Sequence, residues 1–468
     1  MASCPEKMDW EDLLSKQRLG RPEDDGHVGF RTDFQRDFDR LVFSSAFRRL
    51  QDKTQVFPLA ESDYVRTRLT HSLEVSCVGR SLGTRVGEEI VQREGFREIA
   101  PGDIGAIVAA ACLAHDIGNP PFGHAGEDAI RHWVRTSRVA RRALDELTPE
   151  QRAEFEHFEG NAQGFRVVSR LQNPDNEGGL QLTHATLGAA LKYPCPAHAI
   201  DAGRGISRKK YGYFEAEAPL FEQVAQTVGL LPQGEGIYSR HPLAFVMEAA
   251  DNIAYLIVDF EDAFRLGILD YATVHDHFRA LLQGRGQATL DQRLARLRDD
   301  KERVEYLRAR AINELVEASA QAFVDHEQAI LAGRFTEELT DTLPFSEALN
   351  AISQHSQEKI YDHLEVQGVC AAGYSVIGGL LDLFHEAVHE TAVAIREGER
   401  PSPRARTITN LVPAQFLYQY TPDTRAPERI TAPYPLLLNL TDFIAGMTDG
   451  YAVSLYKKLT GMALPHHG

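Results

Sequence analysis

The sequence predicts an all-α fold. Apolar residues recur at spacings of three and four along most of the chain, which is the period of a helix with one buried face. Runs of alternating β-branched residues bounded by tight-turn dipeptides, which would indicate strands, are nearly absent. With 468 residues, 43% of them hydrophobic, the chain is long enough to bury one large core or two moderate ones.

The helical elements can be assigned in chain order. The spacing predicts helices over residues 34–51, 70–93, 103–116, 151–171 and 241–266. From residue 290 to residue 315 it predicts one long amphipathic helix, whose charged outer face indicates a solvated scaffold or a subunit contact. Seven prolines between residues 396 and 435 predict a loop-rich stretch, and helices resume after Pro435.

Composition argues against several classes of protein. Fifty Lys and Arg against 67 Asp and Glu give a formal charge of -17, so a nucleic-acid-coating protein is disfavoured and any bound anion requires a local basic patch. The five cysteines occur singly, which disfavours a disulfide framework or a thiolate zinc site and fits a reducing compartment. The longest apolar run, 104–114, is shorter than the ~18 residues of a membrane span. We therefore expect a cytoplasmic protein without a membrane partner.

The most informative segment is 113–127, Leu-Ala-His-Asp-Ile-Gly-Asn-Pro-Pro-Phe-Gly-His-Ala-Gly-Glu. His115 and Asp116 follow an apolar helix that the Gly-Asn-Pro-Pro sequence ends, so we expect the pair at a helix end, facing the cavity that the turn lines. Imidazole nitrogen and carboxylate oxygen form the ligand mixture that borderline divalent metals prefer.

Two other segments provide further candidate ligands. Thr70-His71-Ser72 is predicted to open a helix, with Thr70 or His71 near its N-cap. Asp251, Tyr255 and Asp259 follow at four-residue steps, which places them on one face of an otherwise apolar helix. Together, His71, His115, Asp116 and Asp251 would form a mixed site with positions left for water and a phosphate oxygen.

At this point the chain resembles the HD-domain deoxynucleoside triphosphate triphosphohydrolases, the bacterial dGTPase-like family. The resemblance covers about 31–262, with a weaker match at 441–451. Besides the His-Asp segment and the Asp251 helix, its motifs are Phe-Arg-Arg-Leu-Gln-Asp-Lys-Thr-Gln-Val-Phe (47–57), Arg-Leu-Thr-His-Ser-Leu-Glu (68–74), Phe-Glu-Gly-Asn-Ala-Gln (158–163) and Lys-Tyr-Pro (192–194).

The resemblance implies an HD-domain helical bundle with a helical C-terminal subdomain. The regions we predict are an N-terminal segment 1–66 that contributes to the nucleotide site, an HD core 67–266 and a C-terminal subdomain 267–468. The family also implies that the divalent metal, Mn, Mg or another transition metal, is bound by the four ligands named above. A homo-oligomer, with a hexamer suggested by the family, is expected as well.

The implied reaction is hydrolysis of a deoxynucleoside triphosphate, dGTP foremost, at the α-phosphorus to a deoxynucleoside and tripolyphosphate. The resemblance assigns catalysis to His124 and Glu127, which share a face if their segment is helical, so that the carboxylate can orient the ring. The sequence leaves open whether His124 activates the attacking water or protonates the leaving 5'-oxygen. The implied substrate-binding residues are Gln51, Arg68, Glu159, Asn161, Lys192, Tyr193, Tyr255 and Asp259.

Two alternatives stay open at this point. The first is another HD-domain phosphomonoesterase or phosphodiesterase of nucleotides, and the second is a nucleotide-sensing protein with little turnover. An intact His124 and Glu127 favour an enzyme. Two positions depart from the family pattern: Asn252 stands where many members have a second Asp, and Gly450 stands where a basic residue is expected.

Two further motifs have competing interpretations. His385-Glu-Ala-Val-His389 matches the H-E-x-x-H pattern of zinc proteases, but no third ligand is evident, so we interpret both histidines as exposed or polar-face residues. The basic run of 204–210 precedes Tyr211, Tyr213 and Phe214, which suggests either a contact with single-stranded DNA or a surface loop. A nucleotide or single-stranded DNA is therefore a candidate effector.

Overall fold

The computed structural model of the chain describes residues 6–21, 30–55, 66–282, 287–419 and 428–463. These residues are mostly helical, and the all-α prediction is confirmed. The first ten helices are α1 Trp10–Leu13, α2 Asp33–Val42, α3 Ser45–Arg49, α4 Arg68–Glu94, α5 Pro101–Ala114, α6 His124–Thr136, α7 Arg138–Leu144, α8 Pro149–Glu156, α9 Gly160–Arg166 and α10 His184–Ala190. The remaining helices are α11 Ala218–Thr227, α12 Pro242–Arg265, α13 Tyr271–Leu281, α14 Gln287–Leu294, α15 Asp300–Leu331, α16 Ser346–Ser356, α17 Leu364–Glu397, α18 Pro403–Thr409, α19 Pro433–Ala445 and α20 Asp449–Leu459.

The strands of the described chain form two small antiparallel pairs. Strands β1 Pro232–Gly234 and β2 Ile237–Tyr238 form the first pair, and β3 Tyr418–Gln419 and β4 Glu428–Arg429 form the second. Short π-helical turns follow α9 and α16. Cys4 and the last two residues of the 47–57 motif lie outside the described residues, as does part of the predicted N-terminal segment.

Three predicted helices are interrupted. The helix predicted over 34–51 is two helices, because the side chain of Ser44 accepts a hydrogen bond from the Phe47 amide and caps α3. The helix predicted over 151–171 ends at Glu156 and a new one begins at Gly160. The long helix predicted from residue 290 is also wrong in its bounds, since it breaks between α14 and α15 and then continues to Leu331.

Close packing of α4 against α5 brings the ends of these two helices together. Gly79 and Gly83 lie on the α4 face that meets α5, where an added Cβ would lie 2.5 Å from the sulfur of Cys112 and 2.9 Å from Val108, respectively. Glycine therefore permits an approach that any larger residue would prevent. His71 lies two turns before Gly79, and the chain reaches His115 one turn after Cys112, so this contact places the two imidazoles side by side.

Helix α17 is long and apolar enough, by length and composition alone, to cross a membrane. It is the single such helix in the described part of the chain. Ile377, Leu380 and Phe384 from this helix are fully buried in a hydrophobic cluster that also contains side chains of α6, α19 and α20. One face of the helix therefore belongs to the hydrophobic core of the C-terminal part of the protein.

Candidate active site

His71 lies in the first turn of α4. Thr67 is the N-cap of this helix, and its side chain and that of Thr70 each accept a hydrogen bond from the other's amide. Thr70 and His71 therefore lie in the first turn of the helix, near the N-cap as predicted, and the cap itself is Thr67. Because α4 already begins at Arg68, His71 lies inside the helix, and only 1% of its surface is exposed.

His115 and Asp251 complete a group of potential ligands with His71. His115 is the C-cap of α5, and its Nδ1 donates to the carbonyl oxygen of Cys112 at 2.5 Å. A carbonyl oxygen can only accept, so Nδ1 of His115 carries a proton and Nε2 is the ring nitrogen that faces the ligand group, 3.4 Å from Oδ1 of Asp251 in α12. Nε2 of His71 is 3.3 Å from the same oxygen. The three ligand atoms lie within 4.8 Å of one another.

Asp116 lies at the edge of this group. Its Oδ1 is 3.6 Å from Nε2 of His115, while its Oδ2 accepts a hydrogen bond from Arg68 at 2.8 Å. The side chain of Asn119 also donates to Oδ1. Burial opposes ionisation of Asp116, but the Arg68 guanidinium and the neighbouring imidazoles together outweigh it and hold the pKa of that carboxyl well below its usual range.

Lys192 neutralises the second oxygen of Asp251. Its ammonium donates to Oδ2 at 2.6 Å, in a pair that is largely removed from solvent. Burial disfavours both charges, but their mutual attraction and the other charges nearby together outweigh it, so the pKa of Asp251 is lowered and that of Lys192 is raised. The carboxylates of Asp116 and Asp251 are thus held ionised, with a fixed cation beside each of them.

His124 and Glu127 form the predicted pair. Both belong to α6, where Nδ1 of His124 lies 2.8 Å from Oε2 of Glu127, and Oε1 accepts from the Gly160 amide at 2.6 Å. Although burial opposes ionisation of Glu127, the hydrogen bond from His124 lowers its pKa to about 2. The His124 side chain is 76% exposed, whereas that of Glu127 is 1% exposed. A buried, ionised carboxylate thus orients an imidazole whose Nε2 is available to a substrate.

One cavity of about 880 Å³ brings these groups together, except for the buried Glu127. His71, His115, Asp251 and His124 all line it. Three cations, Arg68, Lys192 and Lys210, also line it. A cavity of this size and charge accommodates a polyanionic molecule as large as a nucleotide.

Comparison with known proteins identifies the family. The HD domain family matches residues 68–178. A protein of Synechocystis named deoxyguanosinetriphosphate triphosphohydrolase-like protein is 45% identical over 98% of this chain and 100% of its own length. The chain belongs to the deoxyguanosinetriphosphate triphosphohydrolase family. A Pseudomonas aeruginosa member with the same "-like" name is 42% identical over 98% of the chain and 100% of its own length. A member from Enterobacter, named deoxyguanosinetriphosphate triphosphohydrolase, is 32% identical over 91% of the chain and 93% of its own length.

The structure divides the predicted substrate residues of this family member into two groups. Arg68, Asn161, Lys192, Tyr193 and Tyr255 line the cavity. The others, Gln51, Glu159 and Asp259, do not.

The surroundings of each of these three residues explain why it does not line the cavity. Gln51 is exposed on a one-turn helix outside the cavity wall. Glu159 is buried and accepts a hydrogen bond from Lys210 at 2.9 Å, so it orients a cation that does line the cavity. Asp259 is covered by Tyr361, whose hydroxyl donates to its Oδ2 at 2.9 Å, and burial raises the pKa of Asp259 to about 7.

Sequence reasoning missed several residues of the cavity wall, among them Gln55, Lys210 and Tyr361. Gln55 lies four positions after Gln51 in the same motif, and its buried Oε1 has no hydrogen-bond partner. Lys210 belongs to the basic run and could have been found as its last cation. Tyr361 stacks on Tyr255, with ring centroids 5.6 Å apart and planes at 8°, and no local pattern signals it.

The structure bears on both of the motifs that had competing interpretations. His385 is 4% exposed, so the interpretation of it as an exposed or polar-face residue is wrong; it packs near the ring of Trp133. In the basic run, Tyr211, Tyr213 and Phe214 are buried, at 2% exposure or less. Stacking of these rings on bases of single-stranded DNA is therefore excluded by their packing.

Asn252, one of the two departures from the family pattern, has a structural role. Its side-chain amide donates to Glu338 at 2.7 Å and to the hydroxyl of Thr340 at 3.1 Å. An aspartate in this place would present a second anion to Glu338. The asparagine thus suits its neighbours and leaves Asp251 as the acidic residue of this turn that joins the ligand group.

Proposed function

We propose that this protein hydrolyses deoxynucleoside triphosphates at the α-phosphorus and releases a deoxynucleoside and tripolyphosphate. The observation that supports this best is the meeting of the His71, His115 and Asp251 group with the His124–Glu127 pair in one cavity lined by cations. An imidazole that can move a proton and a triphosphate-sized basic surface are both needed for such a reaction.

The ligand group fits a divalent cation. Two imidazole nitrogens and a carboxylate oxygen converge from three helices, the tautomer of His115 is fixed by Cys112, and Asp116 has an oxygen within 3.6 Å of His115. We propose that His71, His115, Asp116 and Asp251 hold Mn or Mg. A bound divalent cation would acidify water and polarise a phosphoryl oxygen.

The protein's own residues would bind and orient the triphosphate. Arg68 is anchored by Asp116, Lys192 by Asp251 and Lys210 by Glu159, so each cation is already held in place before a substrate arrives. Fixed cations need no reorganisation when charge develops on the phosphoryl oxygens. His124 would exchange a proton through Nε2, either with the attacking water or with the 5'-oxygen that leaves, while Glu127 keeps the ring in orientation.

The sugar and base would occupy the side of the cavity formed by Gln55, Tyr255 and Tyr361. The flat face of Tyr255 offers a surface for a deoxyribose, and a 2'-hydroxyl there would be crowded or unpaired. The unpartnered Oε1 of Gln55 is an acceptor for a sugar hydroxyl. The name of the Enterobacter relative supports dGTP as the first substrate to test.

The test is a product assay with each of the four deoxynucleoside triphosphates, singly and mixed, with Mn or Mg. We expect tripolyphosphate and deoxyguanosine from dGTP in equal amounts, and no orthophosphate. Orthophosphate as the product would instead identify a phosphomonoesterase. Tight nucleotide binding without turnover would identify a sensor, and either result would overturn the proposal.

A further inference from the structure

The turn between α5 and α6 has an unfavourable backbone conformation. Phe122 has a φ of 64°, in the left-handed region that side chains larger than hydrogen seldom adopt, and Gly123 follows with a φ of 59°. The next residue is His124, the first of α6. A conformation of this kind persists only where the surrounding structure holds it, so something must hold this turn.

Asp449, a residue of the C-terminal helices, holds the turn between α5 and α6 by a hydrogen bond. It is the first residue of α20 and is 2% exposed. Its Oδ1 accepts a hydrogen bond from the Phe122 amide at 3.0 Å, and its Oδ2 accepts from the amide and the hydroxyl of Thr54 at 3.1 and 2.7 Å. Hydrogen bonds to an ionised, buried carboxylate are stronger than those between neutral groups.

Lys53 holds the other end of the same turn. It is 3% exposed, and its ammonium donates to the carbonyl oxygens of Asn119 and, at 2.8 Å, of Ala445 at the end of α19. Asn119 in turn donates through its side chain to Asp116. Asp449 and Lys53, which also bonds the C-terminal helix α19, therefore hold the turn at its two ends, between the His-Asp pair and His124.

We propose that Asp449 is a positioning residue for catalysis: it fixes the 119–123 turn and thereby places His124 over the ligand group. This rests on the proposed function, because it assigns His124 a part in the reaction. Asp449 does not line the cavity, so it acts through Phe122 and not on the substrate.

Two variants separate positioning from a loss of stability. Asp449→Ala removes the acceptor of the Phe122 amide. Thr448→Ala is the matched control, because Thr448 is the N-cap of the same helix, accepts from the Tyr451 amide and does not contact the turn. In steady-state assays with dGTP we expect Asp449→Ala to lower kcat roughly tenfold or more, with KM and metal content nearly unchanged. Thr448→Ala should keep kcat within a factor of about two. Equal losses in both variants at equal loss of Tm would overturn the proposal.

The dependence on His124 gives a second readout. If Asp449 acts through His124, Asp449→Ala should have little further effect on kcat in a His124→Ala background. Losses that multiply would mean that the two residues act independently and would overturn the proposal. Asp449→Asn, which keeps one acceptor oxygen, should fall between Asp449→Ala and the unchanged protein, and it also replaces the alanine variant if that does not fold.

Hydrogen exchange tests the turn without any turnover. We expect the Phe122 amide, and peptides covering 119–127, to exchange faster in Asp449→Ala or Asp449→Asn but not in Thr448→Ala. Unchanged exchange in the aspartate variants would overturn the positioning role. A protein that hydrolyses no deoxynucleoside triphosphate, yet shows the faster exchange, would instead overturn the proposed function and leave the hold on the turn established.

Discussion

Two of the histidine pairs in the described part of the chain have equally spaced rings but differ in the carboxylates that face them. His71 and His115 come from different helices, with ring centroids 5.6 Å apart, and share Asp251 as a neighbour. His385 and His389 come from one helix, also with ring centroids 5.6 Å apart, and line a separate cavity of about 480 Å³.

The difference between the pairs lies in what faces them. At His389 the neighbouring acid is Glu146, at 3.8 Å, and in the part of the chain that the structure describes these two histidines join no group of three ligand atoms within 4.8 Å. Two imidazoles at helical spacing therefore do not make a metal site, whereas imidazoles and carboxylates brought together from three helices do fit one.

The largest expected effect is on metal retention. His115→Ala should abolish bound metal and reduce dGTP hydrolysis roughly 1,000-fold or more, because it removes a ligand whose tautomer is fixed. His389→Ala should change neither quantity. Mass spectrometry measures the bound metal, and tripolyphosphate release measures dGTP hydrolysis. Loss of metal in His389→Ala would contradict the contrast between the two pairs.

The catalytic pair should separate metal binding from turnover. His124→Ala should keep the metal and lower kcat by about 10² to 10⁴-fold, as expected for loss of a group that transfers a proton. Glu127→Gln should have a smaller effect in the same direction, since it leaves the imidazole in place. A fully active His124→Ala enzyme would show that its exposed ring has no part in the chemistry.

A smaller effect is expected at the cations. Lys210→Met removes an ammonium that Glu159 holds at the cavity, and we expect kcat/KM for dGTP to fall roughly 10- to 100-fold, mainly through KM. Lys209→Met, one residue earlier and exposed, is the matched control and should behave like the unchanged protein. Steady-state kinetics with dGTP compare kcat/KM in the two variants. Equal losses in both would indicate a long-range influence of net charge.

The smallest expected effect is that of His385, from the second pair, on the folding stability of the protein at acid pH. Burial lowers the pKa of His385 to about 4 in the folded protein, whereas its unfolded value is near 6.5. Between these two pH values the unfolded chain therefore binds more protons than the folded chain. The free energy of unfolding is highest above pH 6.5 and falls as the pH decreases toward 4. His385→Leu should reduce this acid loss by about 1 to 2 kcal/mol at pH 5. Urea unfolding at pH 5 and pH 7.5 measures it, and an unchanged difference between the two pH values would contradict a buried neutral imidazole.

Much of the site could be predicted because its parts have local signatures. A helix end after residue 114, an imidazole and a carboxylate three residues apart, and polar residues at four-residue steps in α12 all follow from the helical period. The same reasoning failed for Gln51 and Gln55. Both lie in one motif, but a short turn separates them, and the exposure of Gln51 depends on how that turn packs.

The sequence by itself determined the helical class, the spacing of His124 and Glu127 and the mixture of donor atoms, because these depend on contacts within one or two turns of a helix. Tertiary structure alone decided that the side chains of residues 71, 115 and 251 converge, that His385 is buried, and that Asp449 accepts a hydrogen bond from the Phe122 amide. Each of these is a contact between segments far apart in the chain. Such contacts depend on how helices pack, as the close approach at Gly79 and Gly83 illustrates, and no local period specifies that packing.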